Sequence, residues 1–521
     1  MVSFSGPTRP ENAALLMHQL VLDAAERRPD KVALRWIDRD RALTYAEAVA
    51  RMDDCAGFLA ELGVRRGDRV SIVAHNGLDY LVALFGCWRL GAIAALVNVR
   101  FAGELDYYLG DHTPTVVIYT HDIHDAVRAA AAKLPSLRAL VCMDGPMDGA
   151  LAMPQLMAAK LTPPADPRDA GAIAHLSYTS GTTGQPKGAC LAHEPTVTAC
   201  RCIGERLRLT GADVSFGPTA LSSSYQLVAN LLPPLAVAAE INVMGRWTRE
   251  AGFDALDRFG ATAFVANPIL LEDVRAESVA RGRVPGRLRF GLSGGGPVPP
   301  SLKIAWRDEL NLPLVESYGQ SELGGFMALG RPELEPDDAK LMRVGPPLPD
   351  KEVRILGRDD APVGVGEIGE VALTGGFMAG YWNRPDKTAE TTRGGWLHSG
   401  DVGILDADGY VTMRGRKSEL LHVAGVTWFP RDVEEAIARA GNVRQAAVVG
   451  IPDTALGQRP VAFVESETAL DAAALKTAAQ ALVAYDLAPM RVAVLNALPM
   501  TVTGKIAKAE LAARAAKEAL A

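Results

Sequence analysis

The sequence predicts an α/β protein: a large N-terminal body of layered βα sheets with a small β-barrel-like subdomain, then a small α+β C-terminal domain. Three observations lead there. Apolar, β-branched runs alternate with helix-like segments over most of the 521 residues. Near residue 366 the pattern changes to short strands and turns. After Arg414-Gly415-Arg416 a fresh unit begins, about a hundred residues long, so the expected division is 1–415 and 416–521.

Residues 68–74 read as a strand. Residues 77–92 read as a helix, because Leu78, Leu81, Val82 and Phe85 recur at i, i+3, i+4 and i+7 on one face. Residues 94–97 and 116–119 are further buried strands. Such a βαβ rhythm predicts largely parallel sheets covered by helices. Beyond residue 366, residues 370–374 and 403–406 read as strands, Asp408-Gly409 as a hairpin turn, and residues 410–413 as the returning strand. The last unit offers an amphipathic helix at 432–440, strands at 446–451 and 461–465, a helix starting at Asp471, and an Ala-rich terminal helix at 512–521.

Composition narrows the function. A chain that is 48% hydrophobic and 22% charged is globular rather than disordered. A net charge of −7 leaves no excess of Lys and Arg to displace counterions, which argues against a nucleic-acid partner. The six cysteines, Cys55, Cys87, Cys142, Cys190, Cys200 and Cys202, are scattered without a CxxC pair and read as buried thiols. The lone CxC of Cys200 and Cys202 is too little for a metal site. The first ten residues lack the apolar core of a secretory signal. The most apolar stretch, 227–239, contains Pro233 and Pro234 and is too short to span a bilayer. A reduced, cytoplasmic protein with no integral membrane segment is expected.

The most informative stretch is Ser177-Tyr178-Thr179-Ser180-Gly181-Thr182-Thr183-Gly184-Gln185-Pro186-Lys187-Gly188. It holds three glycines, two serines, three threonines and a lysine in twelve residues. Glycines let backbone N–H groups turn toward an anion, hydroxyls add donors, and Lys187 adds a mobile positive charge. An apolar segment at 173–176 precedes it, as at a strand-to-loop phosphate site. An ordinary surface loop is the competing reading, and this density of donors weighs against it. The pattern is not a Walker A loop, because Lys187 lies between Pro186 and Gly188. Gly364-Val365-Gly366-Glu367-Ile368-Gly369 matches GxGxxG by letter. It precedes a strand rather than a helix, so it reads as a turn cluster.

On these residues the chain resembles the adenylate-forming superfamily, which includes acyl- and aryl-CoA synthetases, luciferases and peptide-synthetase adenylation domains. It is most like an acyl- or aryl-CoA synthetase. The resemblance recurs in order along the chain. Tyr318-Gly319-Gln320-Ser321-Glu322 is similar to the family's Tyr-Gly-x-Thr-Glu motif. Trp396-Leu397-His398-Ser399-Gly400-Asp401 is similar to Trp-x-x-Thr-Gly-Asp. Gly415-Arg416-Lys417-Ser418-Glu419 with Gly425 resembles the hinge and the start of the C-terminal domain. Pro499 to Lys505 resembles the terminal Pro-x4-Gly-Lys motif.

The resemblance implies an ATP-dependent carboxylic acid:CoA ligase. The acid becomes an acyl-adenylate with release of pyrophosphate, and a thiol then expels AMP. ATP, Mg²⁺ and coenzyme A are the implied cofactors and a small carboxylic acid the implied partner, with a homodimer as the assembly to be tested. By resemblance, Lys505, Lys187 and Glu322 are catalytic, and Glu322 is also the Mg²⁺ ligand, an oxygen donor suited to that hard ion. Thr179, Ser180, Gly181, Thr182, Thr183, Gly184 and Lys187 would meet the phosphates. Gly295, Ser317, Tyr318, Gly319 and Ser321 would line the nucleotide, with Tyr318 stacked on adenine. Asp401 and Arg416 would take the ribose. Ser222, Tyr225, Asn267, Gly294 and Gly296 would line the acyl pocket. The C-terminal domain would be mobile, turning about Ser418 to exchange Lys505 for the segment at Gly425 in the CoA step.

Three departures stand out. Ser418 replaces the usual Asp or Lys of the hinge. Ser321 replaces Thr and keeps the hydroxyl. Ser222-Ser223-Ser224-Tyr225 stands where the family often has an aromatic or His residue, leaving Tyr225 as the aromatic there. The Gly294-Gly295-Gly296 run reads equally as room for the acyl group or as a tight turn. No Asp stands between Ser222 and Tyr225 to pair an amine, and no Arg to pair a second carboxylate. A neutral aliphatic or aryl monocarboxylate is therefore expected. The competing functions are loading of a carrier-protein thiol in trans, a non-catalytic nucleotide-binding relative, and a luciferase-like oxygenase.

Overall fold

The computed structural model describes residues 15–179, 185–296, 298–441, 443–466, 469–501 and 506–520. The chain forms two compact units. The first comprises Met1–Val298, Leu302–Val353 and Leu373–Leu397; the second comprises Pro299–Ser301, Arg354–Ala372 and His398–Ala521.

The first unit contains two eight-stranded sheets. In one, Arg69–Val73 lies between Ile93–Val97 and Val116–Tyr119, all parallel. Every residue of Ile93–Val97 is buried, as a strand covered on both faces requires. Beyond it come Ile173–Thr179, Lys187–Ala192 and the two-residue edge strand Gly380–Tyr381. In the other sheet, Glu240–Val243, Val214–Gly217, Ala263–Ala266, Phe290–Ser293 and Leu314–Tyr318 run parallel in that spatial order. The expected layered α/β architecture is thus present.

The helix expected over 77–92 runs Leu78–Leu90 and is buried on nearly every side, not on one face. The reason is a second helix, Tyr45–Glu61, packed against it. That helix opens with a capping box, in which Thr44 and Glu47 satisfy each other's backbone N–H groups. Gly86 permits the approach: a Cβ there would lie 2.5 Å from Cys55 Sγ. All six cysteines are free and buried. The apolar stretch at 227–239 is a π-helical turn, Leu227–Leu231, followed by the short helix Leu232–Ala236. No helix among the described residues is long and apolar enough to cross a membrane.

The strand expected over 403–406 runs Trp396–Leu405, so the Trp396 to Asp401 motif lies within it. Its partner extends to Arg416, as Val411–Arg416. The short-strand segment expected to be barrel-like is a five-stranded sheet that also includes Glu352–Leu356 and Ile368–Thr374. A further sheet contains Leu421–Val423, Val426–Trp428, Gln445–Asp453, Gly457–Glu465 and Arg491–Leu495. Helices Pro430–Ala440 and Ala472–Gln480 bury Val433, Ile437, Leu475 and Ala479 in its core. The terminal helix begins at Lys508, earlier than expected.

Candidate active site

The glycine- and hydroxyl-rich stretch is flanked by two paired strands. Ile173–Thr179 and Lys187–Ala192 pair antiparallel, with Thr179 opposite Lys187 at the mouth. Ser180, Gly181, Thr182, Thr183 and Gly184 lie outside the described residues. Both stems are braced. The Tyr178 hydroxyl donates to Asp111 Oδ2 at 2.9 Å and accepts from His112 Nδ1 at 2.9 Å. Burial lowers the His112 pKa to about 3, so the ring is neutral and the network assigns its proton to Nδ1. The Tyr107 hydroxyl donates to the Pro186 carbonyl on the other stem. Among the described residues the buried Thr179 hydroxyl has no hydrogen-bond partner, a donor suited to a phosphate oxygen.

Lys187 Nζ lies 4.3 Å from the centre of the Tyr381 ring. The Tyr381 hydroxyl donates to Glu322 Oε1 at 2.6 Å. Glu322 sits in the one-turn 3-10 helix Ser321–Leu323. Its Oε2 has no hydrogen-bond partner among the described residues, which leaves a carboxylate oxygen fit for a hard cation. Tyr381 was not singled out in the sequence, because its role comes from a contact with a residue 59 positions away.

The next group lies at the carboxyl ends of parallel strands, where open α/β sheets bind ligands. Ser317 and Tyr318 end Leu314–Tyr318. Ser317 Oγ donates to the Ser293 carbonyl at 2.9 Å, tying this strand end to the start of the glycine run. The three glycines differ. Gly294 is closely approached: a Cβ there would lie 2.3 Å from Ser317 Oγ and 2.7 Å from Tyr225 Cε2. Gly295 has φ +77°, the left-handed conformation a turn needs, and no described residue lies within 4 Å of where a Cβ on Gly296 would be. Gly319 backs onto the Gly325 carbonyl, 2.7 Å from where its Cβ would be. Ser321 Oγ and Ser224 Oγ are 3.2 Å apart, which links two of the sequence departures directly.

Tyr225 donates to the Leu292 carbonyl at 2.8 Å, and its ring lies 6.0 Å from that of Phe326. Burial holds its phenol protonated. Asn267 caps the helix Pro268–Arg281 by accepting from Leu270 N at 3.1 Å, so its side-chain oxygen already has a structural task. Ser222 is half-buried beside this group in the chain. Phe326 is an aromatic neighbour that the motifs did not indicate.

In the second unit, Asp401 lies opposite Arg416, and their side chains pair at 2.9 Å. Asp401 is buried. Ser399 Oγ accepts from Asp401 N and donates to the Val371 carbonyl, fixing the turn at Gly400, where φ is +70°. Ser418 is exposed in the single turn Lys417–Glu419. Gly425 has φ +81° in the hairpin between Leu421–Val423 and Val426–Trp428. Lys505 lies outside the described residues. Flanking it, Met500 and Ile506 form a β-bridge, and Lys508 pairs with Glu419 at 2.8 Å and Glu434 at 2.9 Å. Asp360, Glu370 and His398 also cluster, but Glu370 already accepts from Lys417 at 2.9 Å and Gly400 N at 3.1 Å.

Residues 21–382 match the AMP-binding enzyme family, and residues 432–505 match the AMP-binding enzyme C-terminal domain. The chain is 32% identical to a feruloyl-CoA synthase of Amycolatopsis sp., over 91% of this chain and 94% of that protein. It is 30% identical to the 4-hydroxybenzoate–CoA/benzoate–CoA ligase of Rhodopseudomonas palustris, over 96% and 93%. The anthranilate CoA ligase AuaEII, solved in complex with anthranoyl-AMP, superposes with a TM-score of 0.90 at 25% identity, covering 99% of this chain and all of that one. The chain belongs to the AMP-binding enzyme family of adenylate-forming proteins and is an AMP-forming acid–thiol ligase.

Proposed function

We propose that the acid is a neutral aryl monocarboxylate, within the wider aliphatic or aryl class. The observation that carries this reading is the group at Gly294. Tyr225 and Phe326 offer adjoining aromatic faces, the tyrosine hydroxyl is tied to a carbonyl, and no described residue lies within 4 Å of where a Cβ on Gly296 would be. None of Ser222, Tyr225, Asn267, Gly294 and Phe326 is charged, so a second carboxylate or a protonated amine brought here would lose water without gaining a counter-ion. The relatives named for ferulate, benzoate and anthranilate support the same class.

In this reading, Thr179, Lys187 and the loop 180–184 bind the phosphates. Tyr318 faces adenine. Asp401 accepts the ribose hydroxyls while Arg416 holds its carboxylate in place. Glu322 would hold Mg²⁺, which would supply positive charge beside the phosphates. The substrate carboxylate attacks the α-phosphorus, and the α–β bridging P–O bond breaks to release pyrophosphate. Lys505, carried by residues 416–521, stabilises the charge that develops. In the second step the CoA thiolate attacks the acyl carbon and AMP leaves with the bonding electrons. Ser418 is the pivot, and the hairpin at Gly425 serves the thioester step.

A panel of acids with ATP, Mg²⁺ and CoA tests the substrate class. Benzoate-type acids are expected to exceed dicarboxylates and amino acids by about a hundredfold in kcat/KM, the scale of leaving one buried charge unpaired. A preferred dicarboxylate or amino acid would overturn it.

A further inference from the structure

We propose that Tyr381 is the positioning residue that sets Glu322 and Lys187 in one arrangement for the nucleotide. Its hydroxyl fixes the cation-binding carboxylate, and its ring carries the phosphate-binding ammonium. This rests on the roles proposed for Glu322 and Lys187.

The backbone delivers Tyr381 to that place. Gly380–Tyr381 pairs with the strand that begins at Lys187, with Gly380 opposite Cys190 and Tyr381 opposite Ala189. Trp382 N donates to the Gly188 carbonyl at 2.8 Å, so the pairing continues past the tyrosine. On its other side, Met378 N donates to the Glu322 carbonyl at 2.7 Å. The segment Met378 to Trp382, which contains this short edge strand, is therefore bonded to both segments whose side chains Tyr381 joins. Tyr381 is buried, and its hydroxyl reaches Glu322 Oε1 at 2.6 Å, the length of a charge-assisted bond.

The chemistry favours a phenol there over a direct Lys–Glu pair. A direct pair would neutralise both groups and hold each away from its ligand. A tyrosine O–H satisfies one carboxylate oxygen without cancelling the charge. The ring face attracts the ammonium without offering an acceptor to its N–H donors. Among the described residues Lys187 makes no ion pair, and Glu322 keeps Oε2 open. Both charges thus stay available while neither side chain is loose.

Tyr381→Phe keeps the ring and removes the bond to Glu322. Tyr381→Leu removes both. In the full-length enzyme, Tyr381→Phe is expected to raise the Mg²⁺ concentration for half-maximal adenylate formation about tenfold, the scale of one hydrogen bond to a charged group. It should weaken Mn²⁺·ATP binding, read by electron paramagnetic resonance, by a similar factor. The KM for the acid and the thermal midpoint should not move. Tyr381→Leu should add a rise in the KM for ATP. Glu322→Gln is the reference. If it shifts the metal dependence and Tyr381→Phe does not, the positioning role is overturned while the role of Glu322 stands. If Glu322→Gln also leaves it unchanged, the assignment of Glu322 fails and this role with it. Equal losses in acid, ATP and metal parameters with a lowered thermal midpoint would make Tyr381 merely structural and overturn the proposal.

Discussion

Replacing Lys505 with alanine is expected to slow acid-dependent adenylate formation by about 10²- to 10³-fold, the scale of removing one donor from a preorganised transition-state site. ATP binding should survive, because Thr179, Lys187, Asp401 and Arg416 are untouched. The selectivity follows from when charge develops. As the acid attacks the α-phosphorus, negative charge accumulates on its oxygens and on the departing pyrophosphate. A lysine aimed there acts on the transition state more than on bound ATP. Among the described residues on either side of Lys505, Met500 and Ile506 form a β-bridge, and Lys508 pairs with Glu419 and Glu434. Although burial alone would lower the Lys508 pKa, those two carboxylates raise it, so this anchor keeps its charge. With preformed acyl-adenylate, Lys505→Ala should make thioester at near the normal rate. Unchanged acid-dependent pyrophosphate exchange in the variant would contradict the role.

The second large effect concerns stability. Lys303→Ala is expected to destabilise the first unit by about 3–5 kcal/mol. Lys303 Nζ pairs with Glu316 Oε2 at 2.6 Å, and the two side chains are 3% and 5% exposed. The lysine also donates to the Arg343 carbonyl at 3.2 Å. Removing the ammonium breaks a buried ion pair from one side, a far greater penalty than the net worth of the intact pair. Substituting both residues together, as Lys303→Met with Glu316→Leu, should recover much of the loss. The pair also bears on function, since Glu316 directly precedes Ser317 and Tyr318 on the strand Leu314–Tyr318. Denaturant unfolding of the three variants measures these terms. A cost below about 1 kcal/mol for the single variant, the level of an exposed pair, would contradict it.

Much of the fold was legible because its signals are local. Residues 116–119 read as a strand from four apolar or aromatic residues, and the structure has Val116–Tyr119. Asp471 read as a helix start, and its carboxylate accepts from Ala473 N and Ala474 N. The ordered motifs carried the family for the same reason: each is a short run of fixed chemistry. What escaped depends on register and distance. Nothing in the loop's letters says that Thr179 and Lys187 face each other across a hairpin, since that register comes from the pairing of whole strands. The one-sided helix pattern at 77–92 missed the second helix that buries its other face. Asp401 and Arg416 were chosen separately, and the antiparallel register makes them a pair. Tyr381 was missed altogether because a two-residue edge strand is too short to show a periodicity.

The most direct test of the central claim is the identity of the products with and without CoA. The enzyme is incubated with ATP, Mg²⁺ and a benzoate-type acid, and the mixture is read by mass spectrometry. Without CoA, acyl-AMP and pyrophosphate should accumulate to about the amount of enzyme; with CoA, acyl-CoA and AMP should form in equal amounts over many turnovers. ADP and phosphate in place of AMP and pyrophosphate, or AMP release with no thioester, would contradict it.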